Sequence, residues 1–310
     1  MPFISIMSPC YNEQENIMDV YFRIKEIFAQ LPGYQYEHLF IDNSSSDKTV
    51  KILREISRED KNVKVIVNAK NFGQIRSPHH ALLQCSGDAV ISILSDLQDP
   101  PELILEFIKQ WEAGYKIVVG VKKQSEESRF MFAVRNLYYN IISYLSDTEQ
   151  IKSFTGFGLY DKRIIEILRT IDDPYPYFRG LITEIGYDIC RIEYTQAKRK
   201  KGKTKNNFYT LFDMAMLGIT NHSKVPLRLA TMTGFSLAVL SLLVALGYFI
   251  YKLVYWKEFS LGMAPLVIGL FFFSSVQLFF IGIIGEYVGS IHTQVLKRPL
   301  VIEKERINFD

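Results

Sequence analysis

Cysteine is scarce in this sequence. The 310 residues include three, Cys10, Cys85 and Cys190, far apart, with no CxxC pair and no Cys/His spacing suited to zinc. A disulfide framework is therefore excluded, and reduced, buried thiols in a cytoplasmic domain are predicted. Phosphate-cradling glycine loops are also missing. No Gly-x-Gly-x-x-Gly follows the first apolar run and no Walker lysine occurs, which excludes dinucleotide and P-loop sites. Charge of one sign is not in excess: 36 Lys and Arg face 33 Asp and Glu, for a net +3. Whole-protein charge thus names no partner. The N-terminal MPFISIMSP is too short and lacks the basic region of a signal peptide. Internal repeats and low-complexity segments are absent.

What is present is hydrophobicity, 48% of residues, concentrated late in the chain. Leu229 to Tyr251 holds no charged residue, and neither does Ser260 to Gly285. Each run exceeds the ~20 apolar residues that cross a bilayer core. The link, Lys252 to Phe259, carries Tyr255 and Trp256, suited to an interface belt. A helical hairpin follows, with both ends on one side. Lys224 and Arg228 precede it, and Lys297, Arg298, Lys304 and Arg306 follow, against Lys252, Lys257 and Glu258 in the link. The Lys/Arg bias places both termini in the cytoplasm. The expected division is a cytoplasmic domain over 1–205, an amphipathic interfacial region over 206–226, two spans within 227–290 and a cytoplasmic tail over 291–310. Gly285 and Gly289 have GxxxG spacing, for close helix packing between subunits or within the hairpin. Glu286, at the cytoplasmic edge, is given no catalytic role.

Before residue 125, strands and helices alternate. Apolar runs at 3–7, 38–42, 63–67, 89–94 and 116–121 read as buried strands. Helical periodicity fills 15–28, 47–57, 74–85 and 101–113. This order predicts an α/β domain with a mostly parallel sheet covered on both faces. Ligands then bind beyond the carboxyl ends of the strands. Three such ends carry acids. After strand one comes SPCYNEQEN, with Pro9, Tyr11, Asn12 and Glu13; the competing reading is a loop that caps a helix. After strand two, Asp42 ends an apolar strand and needs a partner to offset its desolvation, while Asp47 suits a helix N-cap. After strand four, LSDLQDPPE offers Asp96, Gln98 and Asp99, either for a metal and nucleotide or as a helix start ahead of Pro100 and Pro101.

Taken together, SPCYNEQENI, IDNSSSDKT, NFGQIRSPHHAL, SDLQDPPE and RKKGKTK, ahead of a membrane hairpin, resemble glycosyltransferase family 2. Within it the match is to polyisoprenyl-phosphate glycosyltransferases, such as dolichol-phosphate mannose synthase and bactoprenol glucosyltransferases. The resemblance spans nearly the whole chain. It implies a GT-A fold, a Rossmann-like mostly parallel sheet, that moves a sugar from a nucleotide diphosphate to a polyprenyl phosphate. It implies that Pro9, Tyr11, Asn12, Glu13, Asp42 and Asp96 hold the nucleotide sugar, with the base near Asn71 and Gly73. The signature after strand four is commonly DADLQDPP, whose acids and Gln handle a divalent cation, Mg²⁺ or Mn²⁺. Here Leu94 stands for the first acid, leaving Asp96 and Gln98 for metal and diphosphate. Asp99 is assigned mainly to capping.

The acceptor is a lipid phosphate. Six cations, Lys198, Arg199, Lys200, Lys201, Lys203 and Lys205, lie within eight residues shortly before the first span. One reading is a patch for anionic lipid, at about 1 kcal/mol per charge. The resemblance points instead to Arg199, Thr204 and Lys205 gripping a phosphate, with Arg135 as a second phosphate-binding arginine. Lys122 stands where many relatives have Arg and keeps the charge without the fork. Residues 206–223 carry an apolar stripe for the interface or for core packing.

The expected reaction is one inverting displacement at the anomeric carbon, with Asp96, Arg135 and Arg199 at its centre. No general base is nominated: Asp161 and Glu184 read equally well as capping and surface. UDP-glucose is the favoured donor and undecaprenyl phosphate the acceptor. GDP-mannose or UDP-amino-arabinose are alternative donors. A homo-oligomer in the bacterial inner membrane is expected, in contact with membrane lipids. Nucleic acid is not an expected partner, since the basic run adjoins a span without an aromatic–basic RNA motif. A processive polysaccharide synthase is disfavoured by the missing QxxRW and the two spans. A non-catalytic scaffold of the same fold is favoured only by Leu94.

Overall fold

The computed structural model describes residues 1–124, 151, 153–196, 216–220, 223–255 and 263–309. Its first half repeats a strand–helix unit. β1 (Phe3–Cys10), α1 (Ile17–Ala29), β2 (Gln35–Asp42), α2 (Thr49–Glu59), β3 (Val63–Asn68), α3 (Gly73–Gln84), β4 (Ala89–Ser92) and α4 (Leu103–Glu112) follow in order. Then come β5 (Ile117–Gln124), β6 (Phe154–Asp161), α5 (Lys162–Thr170), α6 (Phe178–Glu184) and β7 (Ile189–Thr195). Two long helices, α7 (Val225–Val254) and α8 (Met263–Leu296), and a last strand, β8 (Glu303–Ile307), complete the described elements.

The described strands form one sheet in the order β7-β5-β6-β4-β1-β2-β3-β8. β1, β2, β3 and β4 run parallel, as do β5 and β7; β6 and β8 run antiparallel to their neighbours. Strand residues alternate between two buried layers, as a period of two requires. Ile4, Ile6, Phe40 and Val65 pack with Val20 and Ile24 of α1, Leu53 of α2 and Phe107 of α4. Met7, Leu39, Ile41 and Ile66 face Leu82 of α3 and Ile165 and Leu168 of α5. Burial on both faces is why the central strands are nearly all apolar.

Three features depart from the sequence pattern. β1 runs on to Cys10, so Pro9 lies in the strand rather than in a turn. β4 pairs with β1 only as far as Met7, so the N–H that Pro9 lacks has no ladder partner to lose on that side. β6 inserts antiparallel between β4 and β5, which local periodicity cannot reveal. Its Gly158 lies against β5: a Cβ there would sit 2.4 Å from the Val118 carbonyl oxygen. Finally, part of the stretch read as a tail, 303–307, is the eighth strand, paired with β3. Arg54 holds Glu305 at 2.5 Å, His80 holds Glu303 at 2.5 Å, and Asn308 donates to the Ser57 and Val63 carbonyls.

α7 and α8 contain 30 and 34 residues, about 45 and 51 Å at 1.5 Å per residue. Both are long and apolar enough to cross a membrane, and none of their most apolar stretch is buried within the chain. A soluble core helix would be covered, and a signal sequence would lie near the N-terminus. Tyr287 of α8 donates from its hydroxyl to the Ser223 carbonyl at 2.6 Å, joining the second helix to the start of the first.

Candidate functional site

The carboxyl ends of β1, β2 and β4 meet in three interlocked loops. Asp42 ends β2 with no solvent exposure. Its carboxylate accepts from the Ser45 N–H at 2.8 Å and from the Ser45 hydroxyl. Burial nevertheless pushes its pKa above the usual aspartate value, with the bonds from Ser45 opposing the shift. Ser45 also accepts from the Asn12 N–H at 2.8 Å, and Asn12 accepts from the Ser46 N–H at 2.8 Å. The Glu13 N–H donates to Thr49 Oγ1 at 2.9 Å. Asn12 and Glu13 therefore tie the first loop to the second. Neither side chain caps α1, whose first residue is Ile17. Asp47 is not the N-cap of α2, which is Lys48; one residue earlier, it accepts from the Thr49 N–H at 2.9 Å and from the Gln14 N–H of the first loop at 3.3 Å.

A third tie was not legible in the sequence. Asn43 is buried and makes four bonds. Its Nδ2 donates to Asn71 Oδ1 at 2.9 Å and to the Gly73 carbonyl at 3.2 Å. Its Oδ1 accepts from the Phe72 N–H at 2.8 Å and from Asn68 Nδ2 at 3.2 Å. Asn43 thus shapes the turn that presents Asn71 and Gly73. Gly73 has φ +84°, a left-handed conformation that suits glycine. The only hint was an amide directly after Asp42.

The β4 loop joins through Ser95, whose hydroxyl donates to the Pro9 carbonyl at 2.9 Å. Asp96 accepts from the Gln98 N–H at 3.2 Å. Between them Leu97 has φ +55°, and Asn12 and Ser44 in the other two loops have φ +54° and +64°. A left-handed leucine is rare and costs about 1–3 kcal/mol, so the surrounding bonds must hold it. Leu94, where the common pattern has an acid, is 38% exposed.

Asp99 does not cap a helix. α4 begins at Leu103 and has no side-chain cap. Asp99 is instead fully buried and accepts a hydrogen bond from the Tyr194 hydroxyl of β7. Burial raises its pKa, opposed by Tyr194 and by the charge of Lys122. Lys122 of β5 is in register with Tyr194. Asp161 is indeed a cap: it accepts from the Arg163 N–H at 2.9 Å, from Trp111 at 2.7 Å and from Lys116 at 2.9 Å. The Cys10 thiol lies beside Asp42, and burial followed by that charge raises its pKa, so it is no nucleophile. Arg135, Arg199, Thr204 and Lys205 lie outside the described residues, as does most of 206–226.

One half-buried carboxylate, Asp96, and one amide, Gln98, beside two strand-end loops bonded to a buried acid, suit a polyanionic ligand only with a cation between the acid and the anion. Among the described residues no three His, Cys, Asp or Glu side chains cluster to hold a metal without help. Asp96 and Gln98 still fit Mg²⁺ or Mn²⁺, because such ions keep waters and take oxygens from a bound phosphate.

Comparison with known proteins bears on family and fold. The Glycosyl transferase family 2 profile matches residues 5–169. An uncharacterized glycosyltransferase of Bacillus subtilis (strain 168) is 33% identical over 99% of this chain and 94% of its own length. A prophage-derived bactoprenol glucosyl transferase of Shigella flexneri is 31% identical over 97% of both chains. Among solved structures, glucosyl-3-phosphoglycerate synthase from Mycobacterium tuberculosis shares the fold, with a TM-score of 0.50 and 19% identity over 71% of this chain and 76% of its own.

Proposed function

This chain belongs to glycosyltransferase family 2 and is a glycosyltransferase, and from that premise we propose that it moves glucose from UDP-glucose to undecaprenyl phosphate at the cytoplasmic leaflet, with inversion. The observation that carries the reading is the three-loop constellation on a domain attached to two uncovered apolar helices. The relatives named bactoprenol glucosyl transferase match over nearly their whole length, which supports a polyprenyl phosphate acceptor.

In this reading Pro9, Tyr11, Asn12, Glu13 and Asp42 hold the nucleotide, and the Asn71–Gly73 turn borders the base. Asp96 and Gln98 face the diphosphate and would hold the cation, which when bound neutralises the departing diphosphate. An acceptor phosphate oxygen forms a bond to the anomeric carbon while the bond to the diphosphate breaks, and its electron pair leaves with UDP. A phosphate monoester is mostly dianionic near pH 7, with a second pKa of about 6, so no base has to take a proton. The task left to the protein is to position two anions and offset their repulsion. Lys122, Arg135, Arg199, Thr204 and Lys205 are assigned to that. The basic run brings the reaction to the bilayer surface, and a homo-oligomer is the proposed assembly.

The test is transfer from radiolabelled UDP-glucose to undecaprenyl phosphate by purified protein in detergent, with Mg²⁺, Mn²⁺ or EDTA, for wild type and Asp96→Ala. Metal-dependent lipid-linked product that vanishes in the variant supports the reading. Product only with GDP-mannose or UDP-amino-arabinose changes the donor. Leu94 favours one second reading, a scaffold; no transfer from any sugar nucleotide, with no nucleotide binding, would establish it.

A further inference from the structure

A cavity of about 670 Å³ opens where α8 leaves its apolar stretch and meets the cytoplasmic domain. That is within the range of small-molecule sites. None of the residues assigned to sugar transfer lines it. Its walls are of two kinds. Met216, Leu217, Leu296 and Pro174 are apolar, whereas Arg76 of α3 and Arg298 just past α8 bring two guanidinium groups.

Arg76 is held in place. Its Nη2 donates to the Pro299 carbonyl, and its guanidinium lies 5.4 Å from the Phe72 ring centroid. Its Nε is buried and has no hydrogen-bond partner among the described residues. Burial lowers its pKa, with Tyr175 opposing the shift and the like charge of Arg298 adding to it. One carboxylate, Glu286, also lines the cavity, so its arginine and glutamate side chains sum to a formal charge of one positive. A buried, unsatisfied cationic donor is costly and calls for an anion.

The floor is Gly285 and Gly289. A Cβ on either would meet no heavy atom of the described residues within 4 Å, so neither glycine is closely packed against α7. They leave room instead. Gln294 donates to Asp173 and Lys297 to Asp172, each at 2.8 Å, which fixes the end of α8 on the cytoplasmic domain. The cavity is thus framed by bonded elements on both sides.

We propose that this cavity is a binding site for the phosphate of a membrane lipid, gripped by Arg76 and Arg298, with its glycerol or isoprenoid portion over Gly285 and Gly289. Arg suits a phosphate because its planar fork gives two parallel bonds. The proposal rests on α7 and α8 spanning the bilayer and not on sugar transfer, so its test does not use activity.

The experiment measures lipid retained by the full-length protein in detergent, by native mass spectrometry. The probes are dioleoylphosphatidylglycerol, undecaprenyl phosphate, dioleoylglycerol and inorganic phosphate. The variants are Arg76→Gln with Arg298→Gln, and Gly289→Leu, which fills the floor without touching charge. Retention of phosphatidylglycerol or undecaprenyl phosphate should fall about tenfold in both variants. Whichever of the two lipids shows the drop identifies the source of the phosphate. Unchanged retention in both variants would overturn the proposal, as would binding of inorganic phosphate alone or a drop equal to that for dioleoylglycerol, which has no phosphate. Arg76→Lys, with Arg298 kept, separates the fork from the charge: retention between that of wild type and the double Gln variant supports the bidentate grip, and retention equal to wild type would refute it.

Discussion

Replacing Asn43 with Ala removes the one side chain that ties β2 to the Asn71–Gly73 turn. Four hydrogen bonds go at once. They are not equal. Asn71 and Gly73 are exposed, so water replaces the two outer bonds at about 0.5 kcal/mol each. The Phe72 N–H and the buried Asn68 amide lie inward, and losing their acceptor costs about 1–1.5 kcal/mol each. The sum is about 3–4 kcal/mol, a substantial part of a domain's 5–15 kcal/mol. If the bound nucleotide needs the turn ordered, part of this sum appears as lost affinity. The expected result is a ten- to hundredfold rise in the dissociation constant for UDP-glucose, at 1.4 kcal/mol per tenfold. Calorimetry gives the affinity, and hydrogen exchange at residues 69–73 reports the turn. Affinity within twofold of wild type, with exchange unchanged, would refute the claim that Asn43 shapes the nucleotide edge.

Leu94→Asp restores an acid at an exposed position; it should cost little stability and lower the Mg²⁺ concentration for half-maximal transfer severalfold, read from a metal titration. Tyr194→Phe takes the hydroxyl donor from the fully buried Asp99 and should lower stability by about 1–3 kcal/mol, seen as a reduced melting temperature. Acid should release β8. In Glu303, burial is outweighed by bonds from Arg306 and His80, and in Glu305 the bond from Arg54 dominates; both carboxyl pKa values lie below the ordinary 4.5. A lowered folded-state pKa adds stability that is complete above about 4.5 and is lost as pH falls through the lowered value. Exchange at Val65–Val67, paired with β8, should therefore accelerate below that pH, and Arg54→Gln should move the onset upward.

Much of this protein was legible before any coordinates. Apolar runs of strand length, helical spacing between them and an acid at three strand ends are local signals, and they specify the α/β alternation and the edge where the three loops meet. Two charge-free runs longer than a bilayer core mark the hairpin for a similar reason: length and composition suffice. Tertiary structure decided what depends on partners distant in sequence. Asp99 reads as a cap because it precedes two prolines, but a tyrosine 95 residues later claims it. Asn43 looks like any loop amide until the turn at Asn71 comes within reach. β8 is a charged segment with weak strand pattern, and only the open edge of β3, with Arg54 and His80 beside it, makes it a strand. A sequence states which groups exist and how they repeat. Which buried polar atom finds which partner is settled only when the chain closes, because desolvation penalises every such atom that finds none.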